Sequence, residues 1–302
     1  MIKCFGHAAV TVADLEASVA FATGLLGLRE MERRDGAVYL TAGGAQHALE
    51  YRAGPSTALD HLALLVDGAP ALERVRAAVE GAGAALTMDV PAQPNVEAAI
   101  RFEAPSGHVV EVCVPARDGL APYHWLGQPA HVASGVRPHR AQHVNVLGPD
   151  VPAATDFFAD VLGFRLSDRI VGPDGTVAIN FLRCSADHHT VAVGQGQAGM
   201  LHVAFEVDSV VDLVRLGDLL DSVGRKLLWG PGRHAAGDNI AVYFQDPSGV
   251  PIEYFAEMER IYDDRRPVRP FAITDPRVPS IWGPSGDLTA LFGAAIPLRR
   301  AG

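Results

Sequence analysis

A long internal repeat decides the fold. Residues 7–30 read HAAVTVADLEASVAFATGLLGLRE, and residues 143–166 read HVNVLGPDVPAATDFFADVLGFRL. At a constant offset of 136 positions, three pairs of residues align: His7 with His143, Phe21 with Phe157, and Gly27 with Gly163. The repeat extends to residues 102–113, FEAPSGHVVEVC, and 244–255, FQDPSGVPIEYF, which are 142 positions apart. The chain therefore contains two copies of one module, and six extra residues around VGPDGT predict a longer hairpin in the second.

Each copy has the pattern of two units in which a strand and a helix precede antiparallel strands. A short alternating strand leads into an amphipathic helix, with Asp14 or Asp150 as the N-cap, and that helix ends near a glycine. Two strands with a Gly-rich turn, another strand, a second helix and a final hairpin follow. This mixture of helices and antiparallel strands predicts an α+β fold.

The limits of the repeat predict four segments. They are an N-terminal module at 1–116, a Pro-, Gly- and Ala-rich linker at 117–138, a second module at 139–256, and a Pro-rich tail at 257–302. The tail lies outside the repeat, and it could cover part of the second module.

Composition excludes several classes of protein. The net charge of −10 argues against binding to nucleic acids or anionic membranes, which is driven by clustered Lys and Arg. No apolar run approaches the ~18 residues of a membrane span. Cys4, Cys113 and Cys184 are far apart and form no CxxC motif, which is typical of a reducing compartment. We therefore expect a cytoplasmic protein.

Three polar residues interrupt apolar segments of the second copy. His143 opens one strand, His202 opens another, and Glu253 lies in a third. Each residue alone is more often structural, as a hydrogen-bonded histidine or an ion-paired glutamate. Together, two imidazoles and a carboxylate form the set that binds non-haem Fe(II) with three positions left open, although zinc accepts the same ligands.

Further histidines and a tyrosine belong to the same copy. His188 and His189 lie next to a strand in CSADHHTVAV, and His234 precedes Tyr243 by nine residues. A histidine beside a metal can act as a general acid or base, because its ordinary pKa is close to neutrality. Taken singly, His234 is typical of a solvated loop residue and Tyr243 of a half-buried strand residue.

The segment RHAAGDNIAVYFQDPSGVPIEYF, residues 233–255, resembles the signature of the type I extradiol ring-cleaving dioxygenases. These enzymes belong to the vicinal oxygen chelate superfamily, and the resemblance covers nearly the whole chain. It implies two tandem modules, each of paired βαβββ units that form a curved mixed sheet. The active site would lie in the C-terminal module, and the N-terminal module would be catalytically silent.

The resemblance also implies roles for the polar residues around a metal. His143, His202 and Glu253 would bind Fe(II), or Mn(II) as in some members. His189 matches the family's acid–base residue. The implied reaction inserts both atoms of O2 into a catechol and cleaves the ring beside the diol.

Four further positions match residues on the substrate side of the site. Tyr243 matches a tyrosine that hydrogen-bonds a substrate oxygen, and His234 matches a second substrate-side histidine, so both are predicted to be catalytic as well as substrate-binding. Asn145 and Phe181 match positions that line the pocket for substrate and oxygen. Relatives are usually homo-oligomers, which implies the same state here.

The first copy retains several of these residues. His7, His61 and Glu111 align with the three predicted ligands, and a second metal there remains open. However, Arg101 aligns with Tyr243, and an arginine that points toward a metal would repel it.

Two alternative functions remain. A glyoxalase-like lyase or isomerase would usually build its site with ligands from both modules and would lack the set His189, His234 and Tyr243. A small-molecule-binding protein of the resistance type would need no metal triad. The sequence also leaves open which catechol is the substrate and whether the metal is iron or manganese.

Overall fold

The computed structural model describes residues 2–44, 46–87, 90, 92–116 and 134–299. The N-terminal part forms an eight-stranded mixed sheet with strand order 2-3-4-1-5-8-7-6. Its elements are β1 (Ile2–Val12), α1 (Leu15–Gly24), β2 (Arg29–Arg34), β3 (Ala37–Thr41), β4 (Leu49–Ala53), β5 (Ala58–Val66), α2 (Ala69–Gly81), β6 (Leu86–Thr87), β7 (Val96–Glu103) and β8 (Val109–Pro115).

The rest of the described chain forms a second mixed sheet with strand order 14-15-16-13-9-12-11-10-17, and strand 18 pairs with strand 13. The repeat contributes β9 (Arg140–Gly148), α3 (Val151–Asp156), β10 (Arg165–Val171), β11 (Val177–Arg183), β12 (Val191–Gln195), β13 (Gly199–Glu206), α4 (Val210–Ser222), β14 (Trp229–Arg233), β15 (Ile240–Gln245) and β16 (Pro251–Ala256). The tail contributes β17 (Arg269–Ala272), α5 (Leu288–Gly293) and β18 (Ile296–Pro297).

The predicted α+β fold of two tandem modules, each with paired βαβββ units, is confirmed. Asp14 and Asp150 cap α1 and α3 by accepting hydrogen bonds from Ala17 N and Ala153 N. The β10–β11 hairpin turns through 172–176 and is longer than its β2–β3 counterpart, as predicted. The sequence did not indicate the π-helical turn Phe157–Val161, which continues α3.

The predicted segment boundaries remain predictions, and residues 117–133 of the proposed linker lie outside the described residues. The tail adds strands at two places in the second sheet. The strand β17 pairs in parallel with β10 at the sheet edge, and β18 pairs antiparallel with the start of β13. The tail is therefore part of the second sheet rather than a separate appendage.

One continuous apolar core extends through both modules. Direct hydrogen bonds also join them: Tyr254 Oη donates to Leu26 O at 2.8 Å, and Thr57 Oγ1 donates to Ser248 O at 2.7 Å. Gly27 has a φ of +76°, and a Cβ there would lie 2.3 Å from Val136 O, so only glycine allows this close approach. Among the described residues, no helix has the length and apolar character needed to cross a bilayer.

Candidate metal centre and active site

Strand register brings the three predicted metal ligands together. Ala204 on β13 is paired with His143 on β9 and, on its other side, with Glu253 on β16. Residues directly opposite on paired strands point to the same face of a sheet, as do residues two apart on one strand. His202 lies two residues before Ala204, so all three ligands share one face.

The geometry of these ligand atoms fits one divalent metal ion. His143 Nε2 and His202 Nε2 lie 3.1 and 2.9 Å from Glu253 Oε2, and 3.3 Å from each other. Ligand atoms about 2.1 Å from one ion are about 3.0 Å apart at adjacent octahedral positions and about 3.4 Å apart in a tetrahedron. The separations fit one face of an octahedron better than a tetrahedral zinc site, and such a face leaves three positions open.

Hydrogen bonds set the tautomer of His143, and nearby charge sets the ionisation state of Glu253, as metal binding requires. Gln142 Nε2 donates to Asp187 Oδ2 and to the His189 carbonyl, so its Oε1 is the acceptor for His143 Nδ1–H at 2.7 Å. That leaves the lone pair of His143 Nε2 for a metal. Burial raises the pKa of Glu253, but the two facing imidazoles outweigh burial and hold this pKa well below its ordinary value. The carboxylate is therefore ionised, as metal binding requires.

His189 lies beside the ligands at the end of a hydrogen-bonded chain. Its ring centroid is 4.2 Å from that of His143, and its Nδ1 is 3.0 Å from His188 Nδ1. His188 Nε2 in turn lies 2.8 Å from Asp168 Oδ2. Burial raises the pKa of Asp168, but hydrogen bonds from His188, Arg269 and Arg266 outweigh it, so the carboxylate is ionised.

The ionised carboxylate fixes the direction of this chain. Because Asp168 only accepts, His188 Nε2–H donates to it, which leaves His188 Nδ1 to accept from His189 Nδ1–H. Burial holds the pKa of His189 well below its ordinary value, so this ring is neutral. Its Nε2 is therefore the unprotonated nitrogen, and the residue lines the cavity described below.

His234 and Tyr243 form a second hydrogen-bonded pair. His234 Nδ1–H donates to Pro279 O at 2.7 Å, and burial lowers the pKa of His234, so its Nε2 is an acceptor. Tyr243 Oη lies 2.9 Å from that nitrogen and donates to it. Tyr243 is also paired in register with Glu253 on the neighbouring strand. The tyrosine oxygen therefore keeps its lone pairs for a partner in the site.

A cavity of about 250 Å³ opens from the metal ligands. All eight predicted site residues line it, including Asn145 and Phe181. The tail supplies much of the remaining wall through Ile273, Val278, Pro279, Leu288, Leu291 and Phe292. The part of the second module that contains the ligands is therefore covered by the tail.

Several residues that support this site were not predicted from the sequence. They include Gln142 and Asp168, described above, and Asn239, whose Nδ2 donates to Glu253 Oε1 at 2.9 Å. His188 stands out in the sequence beside His189, but its role does not. Gln142 could have been noticed, because two consecutive polar residues within the apolar strand of RAQHVNV are unusual. The sequence carries no comparable signal for Asp168, which is 20 positions from His188.

The equivalent position in the first module has a different structure. Glu111 accepts from Arg101 Nε at 2.6 Å, and Gln93 Nε2 donates to both of its oxygens. Arg101 Nη2 also lies 3.3 Å from His61 Nε2, whereas the aligned residue in the second module is the uncharged Tyr243. The atoms close enough together to hold a metal here belong to His7, Glu50 and His61. The aligned Glu111 lies 3.9 Å from His7 Nε2 and 3.7 Å from His61 Nε2, farther than Glu253 lies from its two histidines. The Arg101 guanidinium thus provides the positive charge beside Glu111 that a metal ion would provide beside Glu253.

Comparison with known proteins agrees with this architecture. Residues 5–112 and 140–254 match the Glyoxalase/Bleomycin resistance protein/Dioxygenase superfamily. The chain is 29% identical to the metapyrocatechase of Pseudomonas sp. (strain CF600), over 87% of this chain and 89% of that one. It is 28% identical to the manganese-dependent 2,3-dihydroxybiphenyl 1,2-dioxygenase of Geobacillus genomosp. 3, over 87% of both chains.

A solved structure extends the similarity over the whole length. The Mn(II)-bound glyoxalase from Novosphingobium aromaticivorans superposes with a TM-score of 0.85 and 28% identity, over 100% of this chain and 96% of that one. The fold, the two-histidine, one-glutamate site and these relatives lead to one conclusion. The chain belongs to the Glyoxalase/Bleomycin resistance protein/Dioxygenase superfamily and, within it, to the type I extradiol ring-cleaving dioxygenases.

Proposed function

We propose that the protein uses Fe(II), held by His143, His202 and Glu253, to cleave a catechol beside its diol with O2. The observation that carries this proposal is the three-ligand face, which opens into a cavity lined by an unprotonated histidine and a tyrosine. Three open positions accommodate both oxygens of a diol and one further ligand. When bound, the metal supplies positive charge that favours loss of the diol protons.

His189 serves as the proton acceptor for one substrate hydroxyl. Its Nδ1–H is committed to His188, and its Nε2 carries the lone pair in a largely apolar cavity. A neutral imidazole with a lowered pKa accepts a proton only transiently, so it can return that proton to the product. The same side chain thus acts first as base and then as acid.

Tyr243 and His234 orient the diol. The Tyr243 hydroxyl donates to His234 Nε2, so its oxygen is free to accept a hydrogen bond from a substrate hydroxyl. The pKa of Tyr243 is held well above its ordinary value by burial and then by the Glu253 charge, so the phenol stays protonated. Pro279 of the tail fixes this arrangement through His234.

Reconstitution without oxygen tests the proposal. Protein freed of metal, loaded anaerobically with Fe(II) and then given a catechol and air, should consume one O2 per catechol and form a yellow ring-fission product. Loading with Mn(II) in parallel compares the two metals, since relatives include a manganese-dependent enzyme. Glu253→Gln should lose the metal and the activity, because an uncharged amide is a poor ligand for a hard cation.

Glu111→Gln provides the matched control. It makes the same substitution at the aligned buried glutamate of the first module, and it should retain metal and activity. Full activity of the Glu253→Gln variant, or absence of O2 consumption with every catechol and both metals, would contradict the proposal.

A glyoxalase-like activity is the second candidate, because one structural relative is described as a glyoxalase. All three ligands come from β9, β13 and β16 of a single module, whereas a glyoxalase-like site usually combines ligands from two. O2 consumption separates the candidates, since a lyase or isomerase uses no oxygen.

A further inference from the structure

Apart from the groups assigned to the metal and the diol and the amides of Asn145 and Asn239, the described cavity walls are apolar. Ile170 and Ile179 come from the β10–β11 hairpin, Leu201 from the ligand strand β13, and Ala236 from the connection between β14 and β15. Ile273 and Phe292 of the tail also line the cavity and are 53% and 43% exposed, which places them at its mouth. A substituent that extends from the diol toward solvent therefore meets aliphatic and aromatic carbon.

The cavity is larger than one aromatic ring requires. An apolar cavity of about 150 Å³ is enough to hold benzene. The cavity here has about 250 Å³ and opens beside Ile273 and Phe292, so a substituent on the ring can extend toward the mouth. An unsubstituted catechol would leave part of this apolar wall uncovered.

In the part of the chain that the structure describes, no Lys or Arg lines the cavity to receive a charged substituent. Among the described residues that line it, the only carboxylate is the ligand Glu253. Three arginines of the surrounding segments pair with carboxylates outside the cavity: Arg266 and Arg269 with Asp168 and Glu259, and Arg233 with Glu257. A substrate carboxylate would therefore lose its hydration without gaining a partner.

We infer that the substrate is an uncharged catechol with an apolar alkyl or aryl substituent, and that carboxylated catechols are poor substrates. This inference rests on the proposed function, since it concerns the same cavity. It follows from the lining and volume of the cavity, and it adds a substrate class to a reaction that the ligands alone leave unspecified.

A graded series of catechols tests the inference. With the metal-loaded enzyme, kcat/KM should rise from catechol through 3-methyl- and 3-propylcatechol, by about three- to fourfold for each buried methylene. The matched compound 3-(2-carboxyethyl)catechol has nearly the shape of 3-propylcatechol and differs by a charge. Its kcat/KM should be lower by about 100-fold or more. Equal values for these two compounds would overturn the inference while leaving ring cleavage intact.

A substitution at the cavity mouth provides the second arm. Ile273→Arg places a cation where an exposed side chain tolerates it, and it should reduce the preference for 3-propylcatechol by about 10-fold or more. Ile273→Met is the control and should keep the preference. If Ile273→Arg also left the preference unchanged, the mouth would not be where the substituent lies, and the inference would fail.

Binding without turnover separates this inference from the proposed function. Calorimetry under nitrogen compares the affinities of 3-propylcatechol and its carboxylated match for the metal-loaded protein. If neither compound is cleaved in air but 3-propylcatechol binds at least 10-fold more tightly, the proposed reaction fails and the substrate class stands. Equal affinities would refute the substrate class whatever the reaction.

Discussion

His188 does not line the cavity, but it hydrogen-bonds His189, which does. It is fully buried, donates to the ionised Asp168 and accepts from His189 Nδ1–H. Without this acceptor, the proton of His189 could move to Nε2, and the nitrogen that faces the substrate would no longer be a base. His188 is therefore a positioning residue for His189.

Substitution of His188 should affect turnover more than binding. His188→Phe should lower kcat by about 10- to 100-fold, the usual effect of removing a group that orients a functional histidine, with metal content unchanged. His188→Gln offers an amide oxygen to His189 Nδ1–H and should recover much of the rate. Steady-state kinetics over pH 6–9 measure both variants. A kcat of wild-type size in His188→Phe would refute the positioning role.

The three candidate metal ligands can be singled out in the sequence, but the side chains that contact them cannot. His143, His202 and Glu253 stand out because each is polar in an apolar strand that the repeat places in register. The chain from Asp168 to His189, and the amide of Asn239 on Glu253, join different elements. Such contacts depend on side-chain packing between elements, and periodicity carries no information about packing.

At the scale of elements, both strand pairing and ion pairs hold the start of the tail in place. The strand β17 pairs with the edge strand β10, and Pro270 lies in it, as is common at sheet edges. Arg266 and Arg269 both bind the buried Asp168 carboxylate and the partly exposed Glu259. These ion pairs stabilise the start of the tail, and the tail residues that follow line the cavity.

Loss of one of these arginines should destabilise the protein in a pH-dependent manner. Arg266→Met removes hydrogen bonds to a buried carboxylate and should lower the free energy of unfolding by about 1–3 kcal/mol at pH 7. The folded pKa of Asp168 is depressed, so its contribution is present above its unfolded pKa near 3.8 and is lost as pH falls below it. The difference between wild type and Arg266→Met should therefore shrink below about pH 4.

Urea unfolding at several pH values measures this difference. Arg265→Met is the control, because Arg265 is almost fully exposed and pairs with nearby Asp263, so its effect should stay within about 0.5 kcal/mol. An equal loss of stability in both variants, or a difference between wild type and Arg266→Met that grows toward low pH, would contradict the ion-pair account.

Most elements of the two modules were predictable, whereas those of the tail were not. Alternating strands, capped helices and the longer β10–β11 hairpin follow local rules of periodicity and turn composition. The strands β17 and β18 have four and two residues and alternate too briefly to be recognised. They exist because the edge of β10 and the start of β13 offer backbone partners distant in sequence.

At the scale of the whole molecule, duplication has produced two similar frameworks with different centres. Tyr243, Glu253 and Ala204 form one row across the second sheet, and Arg101, Glu111 and Ala63 form the equivalent row in the first. Burial raises the pKa of Glu111, but His61 and Arg101 outweigh burial and lower it, so this carboxylate is also ionised. Its charge is balanced by a guanidinium within the protein.

This difference predicts one tightly bound metal per chain. His202→Ala should reduce the metal content from about one to near zero, because two remaining ligands hold an ion weakly. His61→Ala makes the same change at the aligned histidine and should leave both metal content and activity unchanged, because Arg101 already neutralises Glu111. Metal analysis after gel filtration, with activity on the same samples, measures both variants. Two metals per wild-type chain, one of which is lost in His61→Ala, would mean that the guanidinium does not replace the ion and that the first module has a metal centre of its own.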